Sequence, residues 1–264
     1  MRRAFLGPTK KLQPFKCFGL QTLAGEPVTW LHDQRLDAVS LALRRNDSRT
    51  VLDLGCGEGP LLRRLARQPD ILRIVGVDRS TVALRALRAA LKDEPQSIRK
   101  KVELIHGSFT LPERSLVGLD AAILVETIEH IEPDTLSAME RAVFFELAPP
   151  TVIVTTPNKE FNPLLGVPRH RHRHPDHRFE WARPRFRSWA TSLARRNDYE
   201  VEFEDVGGKH PLYGGASQMA TFKRVAGSQR PCPAAPAYTC SPGPSGYDLR
   251  SCMPILASRA DDKP

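Results

Sequence analysis

The sequence predicts a single α/β domain in which helices cover both faces of a mostly parallel β-sheet. Strand-like apolar segments alternate with helical patterns over most of the chain, and this alternation implies right-handed crossovers between parallel strands. A chain of 264 residues is long enough to bury one hydrophobic core. No stretch approaches the roughly 18 to 20 consecutive apolar residues of a membrane-spanning helix. These observations favour a globular protein.

Short apolar runs predict the strands, and amphipathic runs predict the helices. Strands are predicted over residues 50–54, 71–77, 102–105, 119–125, 151–155, 199–206 and 218–225. Helices are predicted over residues 28–44, 60–67, 80–92 and 184–196, and from Pro133 onward, where a proline suits the first helical turn. The apolar stripe of the first helix would consist of Trp30, Leu31, Leu36, Val39, Leu41 and Leu43. A long polar loop is predicted between residues 157 and 181.

The two ends of the chain differ from its middle in composition. Residues 1–24 lack periodicity and are interpreted as a basic leader, in which Pro8 interrupts any hydrophobic signal region. Residues 227–264 contain seven prolines and no apolar period, which predicts a disordered tail. The predicted domain therefore spans residues 25–226. The five cysteines form no Cys-x-x-Cys pair, and with the absent signal region they predict a reducing, cytoplasmic location.

The net charge of +9 favours an anionic partner, and its distribution is more informative than its total. Seven arginines and four histidines crowd between Arg169 and Arg187, which predicts a local basic surface. Within this stretch, arginine and histidine alternate over residues 169–174. That run has two interpretations, as a solvated flexible loop or as a contact to phosphates.

A glycine-rich segment at residues 53–59 ends the first predicted core strand and opens the next helix. Glycines at this place let the backbone approach a ligand at a helix N-terminus. By themselves they would also fit a nicotinamide dinucleotide site or an inactive domain. The form Asp-x-Gly-x-Gly-x-Gly resembles the first motif of S-adenosylmethionine (SAM)-dependent methyltransferases. That resemblance implies a Rossmann-like, seven-stranded fold and assigns SAM binding to Asp53, Gly55, Cys56 and Gly57.

Two further positions extend the predicted SAM site. Asp78 ends the second of these strands, where a carboxylate can accept both hydroxyls of an adenosine ribose. Ser108 and Phe109 follow the third strand and would lie near the adenine.

Two carboxylates and an imidazole follow the fourth strand, at Glu126, Glu129 and His130. This set suits a hard or borderline ion such as Mg²⁺ or Mn²⁺, whereas thiols would favour Zn²⁺. Taken alone, the segment could equally be a solvated turn. His177 follows the fifth strand, which neighbours the fourth in the usual strand order of this fold, so it could reach the same ion.

Four segments together resemble the small-RNA 3′-terminal 2′-O-methyltransferases of the Hua-enhancer (Hen) type. They lie at residues 53–59, 126–130, 156–162 and 176–181, and the likeness covers roughly residues 28–225. The resemblance implies that Glu126, Glu129, His130 and His177 bind the catalytic ion. It also implies an RNA substrate with a free 2′,3′-diol, with His130 as the candidate proton acceptor. The run at residues 169–174 and the tail lie outside the family's pattern.

Several aspects of function stay open. The RNA is either a small silencing RNA bound to an Argonaute or Piwi protein, or a cleaved end presented by a bacterial RNA-repair ligase, which residues 30–35 slightly favour. A small-molecule diol such as a catechol is another substrate class, although those enzymes typically use Asp and Asn ligands. A non-catalytic RNA-binding module would be expected to lose glycine-loop or metal residues, and this chain keeps them. We expect a monomer.

Overall fold

The computed structural model describes residues 20–21, 27–28, 30–112 and 114–227. Nine strands lie in this part of the chain: β1 (Leu20–Gln21), β2 (Pro27–Val28), β3 (Thr50–Leu54), β4 (Arg73–Asp78), β5 (Val102–His106), β6 (Ala121–Val125), β7 (Thr151–Pro157), β8 (Tyr199–Val206) and β9 (Ser217–Arg224). The first two form a short antiparallel pair, and the other seven form one sheet. The seven-stranded sheet predicted from the sequence is therefore confirmed.

The sheet has the order β5-β4-β3-β6-β7-β9-β8. Strands β5, β4, β3, β6 and β7 pair in parallel, whereas β9 is antiparallel to both β7 and β8. Strand order reverses between β3 and β6, because β3 continues to β4 on one side and pairs with β6 on the other. In open α/β sheets ligands bind outside the carboxyl ends of the strands at such a reversal. The topology thus indicates where the site should lie.

Six α-helices cover the sheet: α1 (Trp30–Arg45), α2 (Pro60–Ala66), α3 (Thr81–Lys92), α4 (Gln96–Arg99), α5 (Leu136–Arg141) and α6 (Arg183–Arg196). The short α4 was not predicted from the sequence. The helix expected from Pro133 starts as a 3₁₀ turn at Pro133–Thr135 and ends as a π-helix at Ala142–Leu147. The predicted polar loop after Pro157 also departs from expectation, because it contains a 3₁₀ segment at Lys159–Leu165.

Two apolar clusters, one on each face of the sheet, form the core. One includes Leu52, Leu124, Val154, Phe144 and Phe222. The other includes Val39, Leu43, Val51, Leu62 and Leu87. Alternate residues of the same strand serve opposite clusters because side chains along a strand alternate between faces. Continuous apolar strands are therefore expected here, since both faces of the sheet are buried.

Helix α1 buries a narrower stripe than the sequence predicted. Leu36, Val39 and Leu43 are buried as expected. Trp30 and Leu41, which were assigned to the same stripe, are 41% and 37% exposed. They were included because they are apolar, but their helical positions face away from the second cluster.

No helix within the described ranges is long and apolar enough to cross a membrane. Most of the predicted leader and nearly all of the predicted tail lie outside the described residues, so the predicted order of these ends stays a prediction.

Candidate functional site

A cleft of about 650 Å³ opens at the carboxyl ends of the parallel strands, beside the strand-order reversal. It is lined by Gly55, Asp78, Arg79, Ser108, Phe109, Thr110, Glu126, Thr127, His130, Ile131, Glu132, Thr135 and Arg178. Residues from both predicted sites, for SAM and for the ion, therefore share one cleft. The sequence did not single out Arg79, Thr110, Thr127 or Glu132 as members of it.

The glycine turn after β3 forms the floor of this cleft. Gly55 has a φ of +83°, and a Cβ at this position would lie 2.7 Å from Cγ2 of Thr127. Only glycine avoids both the left-handed backbone penalty and this clash. The turn therefore packs directly against the segment that carries Glu126 and Glu129. Gly57, with a φ of +54°, has open space above its Cα, which leaves room for a ligand to approach the backbone.

Asp78 is fixed by two backbone amides at the end of β4. Its Oδ2 accepts a hydrogen bond from the amide of Gly57 at 2.8 Å, and its Oδ1 accepts one from the amide of Ser80 at 2.7 Å. Each carboxylate oxygen has a further lone pair for a ligand hydroxyl. Ser108 and Phe109 line the same end of the cleft.

Asp53 and Cys56 lie beneath the cleft and do not line it. Both side chains are buried, and Asp53 lies within the buried strand β3. Burial and, secondarily, the nearby Asp78 carboxylate raise the pKa of Asp53 to about 7. Burial likewise raises the pKa of the Cys56 thiol. Their assignment to SAM binding stays a prediction, and this geometry favours an indirect role through the shape of the glycine turn.

The raised pKa of Asp53 predicts a pH-dependent cost to folding. Its carboxyl keeps its proton up to about pH 7 in the folded protein, whereas an unfolded Asp loses it near pH 3.9. The folded state thus binds more protons between these values, so the free energy of unfolding should fall as pH rises through that window. Between about pH 5 and about pH 8, the free energy of unfolding of Asp53→Asn should fall less than that of the parent chain. Urea titrations at these pH values measure it.

The exposed Asp70 supplies the matched control, as Asp70→Asn. Equal pH slopes for the two variants would contradict the raised pKa of Asp53.

Glu126 begins the candidate ion-binding segment with a strained backbone. Its φ is +50°, in the left-handed region that non-glycine residues rarely adopt, and such strain clusters at functional sites. Its amide donates to the carbonyl of Thr155, and its Oε1 accepts from the Thr155 hydroxyl at 3.1 Å. Its Oε2 lies 3.2 Å from a guanidinium nitrogen of Arg35, which also donates to Ser217. The carboxylate is thus contacted from two elements, β7 and α1, and Ser217 of β9 holds the arginine of α1 in place.

Glu129 lies one turn further on and is fully buried. Its Oε2 accepts a hydrogen bond from the Thr156 hydroxyl at 3.0 Å. Its Oε1 is also shut off from solvent and has no hydrogen-bond partner among the described residues. Burial, followed by the neighbouring Glu126, raises the pKa of Glu129 well above its usual range. A buried carboxylate oxygen without a partner is costly, and a cation beside it would remove that cost.

His130 and His177 lie together at the edge of the cleft, with ring centroids 4.8 Å apart. Burial, followed by the neighbouring His177 and His174, lowers the pKa of His130. The Nδ1 atom of His177 lies 2.7 Å from Oε1 of Glu180, a fully buried carboxylate. Metal-binding histidines commonly have this carboxylate partner on the second ring nitrogen, because it fixes the orientation of the ring.

The Glu180 carboxylate is itself fixed by several donors. Burial alone would raise its pKa, but hydrogen bonds from His177, Asn162 and the amide of Arg173 bring the pKa down to about 2. Glu180 therefore stays ionised and can accept a hydrogen bond from the Nδ1–H group of His177.

The four predicted ligands are brought into one region, but they do not form a single compact group. The ligand atoms that lie within 4.8 Å of one another belong to His130, His174 and His177. Glu126 and Glu129 are outside that group. His174 was not predicted, because it belongs to the Arg/His run that has no counterpart in the family pattern. The four-ligand set stays a prediction.

Arg173, from the same run, is a structural clamp. Its Nε donates to Oδ1 of Asn162 at 2.6 Å, and its terminal nitrogens donate to the carbonyls of Ala216 and Asn158. Its amide donates to Glu180 at 2.7 Å. The interpretation of residues 169–174 as a solvated loop is therefore wrong for Arg173, although Arg169 and Arg171 are exposed.

Comparison with known proteins gives consistent matches. A family model described as a methyltransferase domain matches residues 51–149. A small RNA 2′-O-methyltransferase of Rattus norvegicus is 35% identical over 208 residues, which are 75% of this chain and 52% of the rat protein. The chain spans about half the length of the curated vertebrate relatives it matches.

Two solved structures share both sequence and fold with the chain. The crystal structure of small RNA methyltransferase HEN1 is 34% identical with a TM-score of 0.67, over 75% of this chain and 26% of that one. The methyltransferase domain of bacterial CtHen1-C is 38% identical with a TM-score of 0.68. That match covers 74% of this chain and 100% of the CtHen1 domain. The chain therefore belongs to the Hen1 family of SAM-dependent methyltransferases.

Proposed function

We propose that this chain transfers a methyl group from SAM to the 2′-hydroxyl of the 3′-terminal nucleotide of RNA, with the help of one Mg²⁺ or Mn²⁺ ion. The proposed substrate is a small silencing RNA whose 3′ end the methyl group protects, and the proposed partner is an Argonaute or Piwi protein. The similarity to the rat small RNA 2′-O-methyltransferase supports this substrate class. The alternative is an RNA end presented by a repair ligase.

The single observation that carries the proposal is the continuity of the cleft. The glycine turn and Asp78 occupy one part of it, and Glu126 and His130 occupy another. The two parts are in direct contact through Gly55 and Thr127. A methyl donor held by the first part would therefore lie beside an acceptor held by the second, and such pre-positioning of reactants is a large part of catalysis.

The residues around Glu129 fit a divalent cation. Its unpartnered Oε1, the oxygens of Glu126 and the imidazoles of His130 and His177 are oxygen and nitrogen donors of the kind that divalent ions take. When bound, the ion would lower the pKa of the ribose hydroxyls and favour a vicinal diol. Thr155 and Thr156 orient the two carboxylates, and Glu180 orients His177.

His130 is the residue proposed to accept the 2′-hydroxyl proton. Its lowered pKa keeps the imidazole unprotonated at neutral pH, which a general base requires. Binding of the ion and acceptance of the proton would use the same ring nitrogen, so the two proposed roles of His130 are alternatives. Its side chain lines the cleft and is exposed, so an imidazole nitrogen can be reached by a bound nucleotide.

The phosphates before the terminal nucleotide are assigned to arginines around the cleft. Arg79 and Arg178 line it, and Arg178 lies within the basic stretch between Arg169 and Arg187. Contacts between arginine and phosphate position RNA without reading its sequence.

Replacing Asp78 with alanine should weaken SAM binding. The ribose hydroxyls would lose a charged acceptor, which contributes about 1.5–3 kcal/mol, or roughly ten- to a hundredfold in affinity. Calorimetric titration with SAM measures this effect. Glu103→Ala, on the neighbouring strand β5 and exposed, is the matched control and should bind SAM as the parent chain does. An unchanged affinity for Asp78→Ala would remove Asp78 from the site.

Labelled methyl transfer to three RNAs of one sequence tests the proposed function. The RNAs end in a 2′,3′-diol, a 2′-deoxynucleotide or a 3′-phosphate, and catechol serves as a fourth acceptor. We expect label in the diol RNA alone. Equal labelling of the 2′-deoxy RNA would exclude the 2′-hydroxyl as acceptor. Labelling of catechol without RNA would favour the small-molecule diol alternative.

A further inference from the structure

Three imidazoles, and not the predicted two, meet beside the cleft. Ring centroids of His130 and His174 are 5.9 Å apart, and those of His174 and His177 are 5.6 Å apart. The candidate ligand nitrogens of His130, His174 and His177 all lie within 4.8 Å of one another. Small rotations of these rings, of which those of His130 and His174 are exposed, would bring such nitrogens onto one ion with the bond lengths of about 2.0–2.1 Å that zinc–imidazole sites have.

Each of the three rings already has one partner within the protein. Nδ1 of His177 contacts Glu180 at 2.7 Å. Nδ1 of His174 lies 3.2 Å from the amide nitrogen of Asp176 and 3.7 Å from its carboxylate. The backbone of Asp176 also hydrogen-bonds the ring of His130. A second ring nitrogen therefore stays available on each, which is the usual state of a metal-binding histidine.

Packing does not account for the position of His174. Its side chain is 55% exposed, so it contributes little to the core. The adjacent Arg173 already anchors this loop to Asn162 and Ala216. The anchored backbone presents His174 to His130 and His177, while the preceding Arg169 and Arg171 stay in solvent. The anchored loop therefore determines where His174 lies. In a run of charged residues that was merely solvated, no such approach of His174 to the other two histidines would be expected.

We propose that His174 joins His130 and His177 as a third imidazole ligand, so that the site prefers ions such as Co²⁺ or Zn²⁺ over Mg²⁺. Imidazole nitrogen suits these transition metals, whereas Mg²⁺ prefers an all-oxygen shell. The inference rests on the proposed function for the presence of an ion beside Glu126 and Glu129. It adds a ligand outside the predicted set and a metal preference that follows from that ligand.

Calorimetric titrations with Co²⁺ and with Mg²⁺, in the absence of RNA and SAM, test the proposal. His174→Ala should weaken Co²⁺ binding by about tenfold or more, a loss of about 1.4 kcal/mol per factor of ten, and should leave Mg²⁺ binding unchanged. The matched control is His170→Ala, because His170 is exposed in the same run but outside the cluster. It should bind both ions as the parent chain does.

The visible absorption of bound Co²⁺ provides a second measurement, because it responds to the ligands around the ion. It should change in His174→Ala and not in His170→Ala. Co²⁺ affinity and absorption that are the same in His174→Ala and in the parent would overturn the proposal, as would a parallel loss of Mg²⁺ affinity. Failure of the proposed function is distinguishable: the diol RNA would stay unmethylated while the Co²⁺ difference persists.

Discussion

His177→Ala should leave SAM affinity nearly unchanged and should cut methylation of a 3′-terminal ribose by about a hundredfold or more at limiting metal. The glycine turn and Asp78 are untouched by this change, so the cofactor part of the cleft is preserved. The imidazole that Glu180 orients toward the proposed ion is lost, and even the loss of such an orienting partner costs roughly 10- to 100-fold in metal affinity or activity. Excess Mn²⁺ should recover part of the activity by mass action.

Arg171→Ala is the control for this experiment, because Arg171 is exposed in the same loop. If Arg171 contacts only phosphate, its loss should raise the KM for RNA and reduce the salt dependence of binding without changing the metal requirement. Full activity of His177→Ala at limiting metal would show that His177 is not a ligand. The ion would then be bound by Glu126, Glu129 and His130.

Arg173→Ala should destabilise the whole domain. The guanidinium donates to oxygen atoms of Asn158, Asn162 and Ala216 and so links three segments. Its removal leaves these oxygens without their donor and takes a positive charge away from the Glu180 carboxylate. Breaking such a buried charged network typically costs about 3–5 kcal/mol. For a domain of this size each kcal/mol lowers the melting temperature by about 2–4 °C, so a fall of roughly 6–20 °C is expected. Thermal unfolding followed by circular dichroism measures it.

Arg171→Ala again provides the comparison, since it removes the same side chain two residues away in solvent. Its melting temperature should match that of the parent chain. If Arg173→Ala melts within about 2 °C of Arg171→Ala, the clamp is not a major source of stability.

The core strands were predictable because their signal is local. In β3, β6 and β7 the apolar residues form continuous runs, as expected for strands buried on both faces, and the observed bounds differ from the predicted ones by at most two residues. The 3₁₀ segment at Lys159–Leu165 was missed because it lacks helical periodicity and contains Pro163. Its start depends on Asn158, whose side chain accepts from the Glu160 amide.

The candidate site was predictable to the extent that its residues stand in short motifs. Gly55, Asp78, Glu126 and His130 were predicted from motifs at or just after strand ends, and the structure brings them into one cleft. Contacts between charged side chains that lie far apart in the sequence were not predicted. Arg35 reaches Glu126 from α1, which is far from Glu126 in the sequence, and no local pattern signals such a pair.

The half-buried guanidinium of Arg173 was missed for a different physical reason. Arg173 stands between histidines in a run that is otherwise typical of a solvated surface, and arginine is rarely buried without partners. Those partners, Asn158, Asn162 and Glu180, are polar residues in other segments. Glu180 lies in the segment 176–181, three residues after His177, and that spacing was the one available signal for its role.

The segment from Asn158 to Trp181 leaves the sheet and returns to the same place, since these two residues form a β-bridge and the Lys159 amide donates to the Trp181 carbonyl. The two ends of the segment are therefore held together by their own backbone contacts, whatever the length of chain between them. The entropy of closing a flexible loop grows only logarithmically, by about 0.6 kcal/mol for each doubling of length. Residues inserted near Arg169 would thus add little to that cost, and the loop is a place where chains of this fold can change length without moving His177.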